Sequence, residues 1–94
     1  MENVRQVAYT VGTTPIQICE ELERCFLYFG NETAAGAEKI TIVFGNTPAV
    51  SGVGITLAAG AKFMESDSEN YKVFRGKVFA VASAAGQSLA VVER

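Results

Sequence analysis

The sequence predicts an all-β fold, a small antiparallel β-sandwich or jelly-roll-like barrel of about seven to eight short strands with little helix. Three observations lead there. Apolar, β-branched and aromatic residues come in short runs separated by Gly, Asn, Pro and Ser, the spacing of sandwiches and barrels. No long stripe at helical period competes with those runs. Two segments, Leu57-Ala58-Ala59-Gly60-Ala61 and Ser83-Ala84-Ala85-Gly86-Gln87, each place a glycine where a tight hairpin needs positive φ.

In order along the chain, strands are expected at residues 4–11, 15–19, 25–29, 39–44, 54–57, 61–65, 77–83 and 88–93. The third, Cys25-Phe26-Leu27-Tyr28-Phe29, and the seventh, around Val78-Phe79-Ala80-Val81-Ala82, are apolar on both faces of the pleat. A sandwich sheet normally hides one face and wets the other, so a two-sided strand points to an outer face that meets another chain. For the seventh strand, small alanines lying harmlessly at the surface explain the pattern equally well. Residues 20–24, Glu-Glu-Leu-Glu-Arg, lack β-branched side chains and admit either one helical turn or a polar loop. Residues 45–54 carry turn formers without a regular period and are expected to form a surface loop, the kind of segment that often carries contacts.

With 94 residues, the chain fits one domain, expected to span 1–94. A domain this small buries only about 60–65% of the surface its unfolded chain exposes, so neighbours would help to stabilise it. Its 49% hydrophobic and 19% charged residues describe an ordinary globular composition and exclude disorder. A net charge of −2 offers no basic footprint, so nucleic acid is not an expected partner. The polar start, Met1-Glu2-Asn3-Val4-Arg5, does not read as a secretory signal, and no run of about 18 apolar residues marks a membrane span. Cys19 and Cys25 are accordingly expected to be thiols in a reducing cytoplasm.

Chemistry is mostly absent from the pattern. The chain has no histidine, which removes the commonest general base and the commonest zinc ligand together. Two cysteines cannot supply four soft ligands, so no metal or other cofactor is expected. Cys25 follows Arg24 but opens an apolar strand without a base partner, and is expected to be a buried structural thiol. Glu20, Glu21 and Glu23 share one charged turn and do not converge as an acid/base pair must. Glu65, Asp67 and Glu69 have alternate spacing like part of a calcium loop but lack its glycine and closing glutamate, so they read as a solvated turn. Gly52-Val53-Gly54 is too short for a dinucleotide site and no helix follows it. Lys72, Arg75 and Lys77, near Tyr71 and Phe74, read either as a contact for an acidic partner or as charges guarding an edge strand. No catalytic residue emerges, and the protein is not expected to be an enzyme.

The order of features resembles the small β-sandwich proteins of tailed-bacteriophage virions, of the capsid-decoration or head-fibre base type and their neck and tail relatives. The resemblance rests on four segments. Thr14-Pro15-Ile16-Gln17-Ile18 leads to Arg24 at the start of Cys25-Phe26-Leu27-Tyr28-Phe29, with Gly30-Asn31 after it. Ile40-Thr41-Ile42-Val43-Phe44 ends in Gly45. Gly54-Ile55-Thr56-Leu57 turns at Ala58-Ala59-Gly60 before Ala61-Lys62-Phe63. Phe74-Arg75-Gly76-Lys77-Val78-Phe79-Ala80-Val81-Ala82-Ser83 precedes a final Leu89-Ala90-Val91-Val92-Glu93 strand. The acidic cluster at 20–23 and the two cysteines depart from that pattern.

What the resemblance implies is a virion protein on the capsid surface, made in the host bacterial cytoplasm. It would be a decoration protein bound to the major capsid protein, working as a homo-oligomer, with a trimer favoured, and needing neither membrane nor nucleic acid. A neck, tail or fibre-anchoring role is the neighbouring reading. A carbohydrate-binding module stacking sugars on Tyr9, Tyr28 or Tyr71 is the rival from another class, weakened by the absence of tryptophan. The expected partner contacts are Val4, Arg5, Val7 and Tyr9 of the first strand, which would extend a partner sheet by edge pairing, and Asn46, Thr47, Pro48, Val50 and Val53 of the loop.

Overall fold

The structure, a computed structural model, describes residues 4–34, 36, 38–45 and 54–94. Each expected strand is present, with ends shifted by a residue or two: β1 (Arg5–Val11), β2 (Ile16–Cys19), β3 (Phe26–Asn31), β4 (Lys39–Phe44), β5 (Ile55–Ala58), β6 (Lys62–Ser66), β7 (Val78–Ala82) and β8 (Gln87–Glu93). They form two four-stranded antiparallel sheets, ordered β1-β8-β3-β6 and β2-β7-β4-β5. First pairs with eighth, second with seventh, third with sixth and fourth with fifth, so the chain is one long hairpin rolled into two layers. That is the jelly-roll order, the more specific of the two expected forms.

Alternation decides what lies between the layers. On β1, β8 and β3 the odd-numbered residues point inward, so Val11, Leu27, Phe29, Leu89 and Val91 meet Ile18, Ile40, Ile42, Val78 and Ala80 from the other sheet. One end of this core is aromatic. Phe44 lies 6.3 Å from Phe29, 6.1 Å from Phe63 and 5.0 Å from Phe74 between ring centroids, distances at which tilted rings attract beyond their burial.

The two Ala-Ala-Gly tips turn as their sequence requires, with Gly60 at φ 81° and Gly86 at φ 77°, a region side chains with a Cβ rarely adopt. Residues 20–25 form a loop without helix, which settles the choice left open by their composition. Arg24 explains this: its guanidinium is drawn inside, donating through Nη1 to the carbonyls of Phe74 (2.6 Å) and Gly76 (3.3 Å) and through Nη2 to that of Glu20. Its Nε lies 3.0 Å from Glu93 Oε2, and Arg5 Nη1 lies 3.1 Å from Glu93 Oε1. One carboxylate thus joins β8 to β1 and to two loops.

The basic group at 72–77 does not guard an edge strand. It lies in the loop between β6 and β7, where Arg75 pairs with Asp67 at 3.1 Å and Lys72 approaches it at 4.0 Å. Asp67 also accepts the Val73 amide at 2.8 Å, and Glu65 accepts the Tyr71 hydroxyl and the Phe74 amide. These carboxylates organise the loop from within, more than the expected solvated turn would. Of the two thiols, Cys19 is buried, whereas Cys25, expected inside, is half-buried.

Candidate functional site

A strand that fills a core with its odd residues must present its even residues to the other side. Across the outer face of β1-β8-β3-β6, register brings Gln6, Val92, Tyr28 and Met64 into one row and Ala8, Ala90, Gly30 and Lys62 into the next. Phe26 sits beyond the first row, opposite Ser66 and beside Val4. The result is an apolar field of Val4, Phe26, Tyr28, Met64, Ala90 and Val92 bordered by Gln6, Ser66, Lys62 and Ser88. Met64 is 64% exposed and Val4 51%, while Phe26, Tyr28 and Val92 are half-buried. Isolated exposed apolar residues need no explanation, but a contiguous group rimmed by polar ones is the usual mark of a contact surface.

The face has relief. A Cβ placed at Gly30 would lie 2.5 Å from the Tyr28 hydroxyl, so the glycine is where the tyrosine ring lies down across the sheet. At the other end, Val4, Phe26, Val92 and Arg94 surround a shallow hollow of about 270 Å³, and the Arg94 guanidinium stands 5.6 Å from the Phe26 ring centroid, within cation–π range. A second open hollow of about 300 Å³ lies next to it, lined by Arg5, Leu22, Glu23, Arg24, Glu93 and Arg94. Three of its charged groups are engaged with one another, in the ion pairs of Glu93 with Arg5 and Arg24.

The thiol nearest that cluster is inert. Burial pushes Cys19 up to about 12, and the neighbouring Glu93 carboxylate adds to the effect, so thiolate does not form at neutral pH. Among the described residues no group of three or more Cys, Asp or Glu is placed to hold a metal ion.

Of the residues expected to bind a partner, Val4 lies on the apolar face. Arg5, Val7 and Tyr9 are on the same strand but turn their side chains toward the sandwich interior: Tyr9 packs on the core and donates to the Ile18 carbonyl at 3.2 Å, as Arg5 Nη1 does. What β1 offers outward is its backbone edge and Gln6, Ala8 and Thr10. Asn46, Thr47, Pro48, Val50 and Val53 lie outside the described residues. Tyr9, Tyr28 and Tyr71 do not converge on a platform. The first is turned inward, the second lies on the outer face, and the third, 47% exposed, belongs to the β6–β7 loop with its hydroxyl engaged by Glu65.

Phe26, Tyr28, Met64 and Val92 were not singled out as protein contacts by their sequence, Tyr28 standing only as a candidate for sugar stacking. The signal for the first two was there, in the two-sided apolarity of strand 25–29. Met64 and Val92 become visible only when pairing places them beside Tyr28. Comparisons with protein-family models, with curated proteins and with solved structures return no match to this chain.

Proposed function

We propose that the protein is a non-enzymatic structural component of a tailed-phage particle that docks on the outside of an assembled capsid and bridges neighbouring major-capsid subunits. The observation that carries the docking reading is the apolar outer face of β1-β8-β3-β6. The virion setting comes from the ordered resemblance of the sequence, and the eight-stranded jelly-roll topology is an architecture that capsid proteins use, although a fold alone never fixes a function.

Magnitudes favour many repeated weak sites over one strong one. Fully burying a side chain such as Phe, Val or Met contributes about 1.5–3 kcal/mol, and three of the four central residues here are half-buried before any partner arrives. These four side chains together therefore gain less than about 6–12 kcal/mol, which the cost of association, about 4–15 kcal/mol, largely offsets. Repetition over a shell, in small oligomers, turns such a contact into stable occupancy by multivalency.

The test is quantitative mass spectrometry of purified particles and of heads that never received tails, with the chain counted against the major capsid protein. Copies in proportion to the shell, present on tailless heads, are the expected result. A few copies that leave with the tail would move the protein to the neck or tail. Absence from both would sink the virion reading and leave sugar binding to be examined by glycan array.

A further inference from the structure

The four sheet edges are unequal. Edge strands invite pairing with another chain, and proteins blunt them with shortness, bulges, prolines and charge. β2 has four residues, follows Pro15, and carries an irregularity between Gln17 and Cys19. β5 also has four, and β6 bears Lys62 and Glu65. β1 has none of these protections: it runs seven residues in unbroken register with β8, contains no proline, and its one charge, Arg5, is held by Glu93. Among the described residues no strand lies on its other side.

Hydrogen bonding tells which of its groups face outward. Phe26 and Arg94 exchange both backbone bonds at 3.2 Å, and the Glu32 amide donates to the Ser88 carbonyl at 2.9 Å, so the even residues of β8 point their N–H and C=O groups at β3. Its odd residues must then point at β1, where they meet Arg5, Val7, Tyr9 and Val11. The amides and carbonyls of Gln6, Ala8 and Thr10 are left facing the free edge.

We propose that this edge pairs antiparallel with β1 of a second copy about a twofold axis at Ala8. That register is self-complementary. Gln6 faces Thr10 of the second copy, Ala8 faces its counterpart, Val7 faces Tyr9, and Arg5 faces Val11, with no like charges opposed. The outward groups of residues 6, 8 and 10 meet as close pairs and form about six interchain backbone hydrogen bonds. Opposed residues share a face, so the two apolar outer faces lie on the same side of one eight-stranded sheet and can engage a shell together. An isologous contact of this kind closes at two copies, in place of the trimer expected from the resemblance. The pairing refines the oligomeric part of the proposed function and uses the edge, leaving the docking face free.

Ala8→Pro tests it, because the proline removes only an outward-facing amide and is tolerated at an edge. In analytical ultracentrifugation over a concentration series, the unmodified chain is expected as a dimer and Ala8→Pro as a monomer. The dissociation constant should rise by at least about tenfold, with an unchanged circular dichroism spectrum. Met64→Asp, three strands from β1 on the apolar face, should dimerise normally while losing capsid binding, so failure of the dimer and failure of docking are read separately. If Ala8→Pro does not fold, hydrogen exchange of the unmodified chain decides: the amides of Gln6, Ala8 and Thr10 should slow as concentration rises. A monomer or trimer across the series, a dimer that survives Ala8→Pro, or edge amides that exchange equally fast at all concentrations would overturn the pairing.

Discussion

The two faces of the sheet β1-β8-β3-β6 are built from the same strands, and both are apolar, yet they do different work. On the inner face Leu27, Phe29, Leu89 and Val91 are closed off from water, and Glu93 is neutralised by two arginines. On the outer face Phe26, Tyr28, Val92 and Met64 keep part or most of their surface in water. Apolar residues that a fold leaves half-used contribute little to its stability. They are the ones free to be used in binding.

The largest effects should come from breaking the inner face. Phe29→Ala should destabilise by about 3–5 kcal/mol, since the ring stacks on Phe63 and contacts Phe44. Arg24→Ala should cost a comparable amount, about 3–5 kcal/mol, because it removes one of the two cations at a buried carboxylate and leaves three carbonyls without their donor. Urea denaturation measures both, and a loss below about 1 kcal/mol in either would mean that the inner face relaxes far more easily than close packing allows.

Cys19 sharpens the same contrast through pH. Its thiol ionises near 9.0 when unfolded and near 12 in the folded protein, so its contribution is whole below pH 9.0 and is lost as pH rises through that window. The stability advantage of the unmodified chain over Cys19→Ala should therefore shrink on the alkaline side, and a constant difference from pH 7 to 11 would refute the burial effect. At neutral pH, alkylation should reach Cys25 well before Cys19.

Asp67 gives a smaller effect of opposite sign. The Val73 amide, and then Arg75 and Lys72, hold its carboxyl below the ordinary range, so its contribution is present above the usual carboxylate pKa and disappears as pH falls through the lowered one. Acidification should speed exchange of the Val73 amide before the sheets melt, and Asp67→Asn should remove that step. Smallest of all, Met64→Ser should change stability by no more than about 0.5 kcal/mol while weakening capsid binding. A large stability loss there would show that the outer face belongs to the fold after all.

The strands were legible because alternation and turn residues are local: Gly60 and Gly86 mark their hairpins, and Lys39–Phe44 has the expected bounds. The burial of Arg24 was not. Its stretch, Glu20-Glu21-Leu22-Glu23-Arg24, reads as one helical turn or a polar loop, and the groups that hold the guanidinium include Phe74, Gly76 and Glu93, all far along the chain. The candidate face was legible only in part, because strand 25–29 shows its own two-sidedness whereas the row joining Gln6, Val92, Tyr28 and Met64 is a product of long-range pairing. In the first strand, the local pattern identified an edge-forming element but selected the inward residues Arg5, Val7 and Tyr9.

The nested order of pairing also sets a timetable. β4 and β5 are neighbours in sequence, and each successive pair encloses the one before it, until β1 meets β8 from almost the full length of the chain. Such non-local contacts make for slow folding, in milliseconds to seconds rather than microseconds. During synthesis β1 leaves the ribosome first and its intended neighbour last, so a strand of seven residues waits without a ladder on either side. The strand best suited to joining another copy is thus also the one longest available to do so wrongly, and its concentration in the cell during translation would govern the yield of well-folded protein.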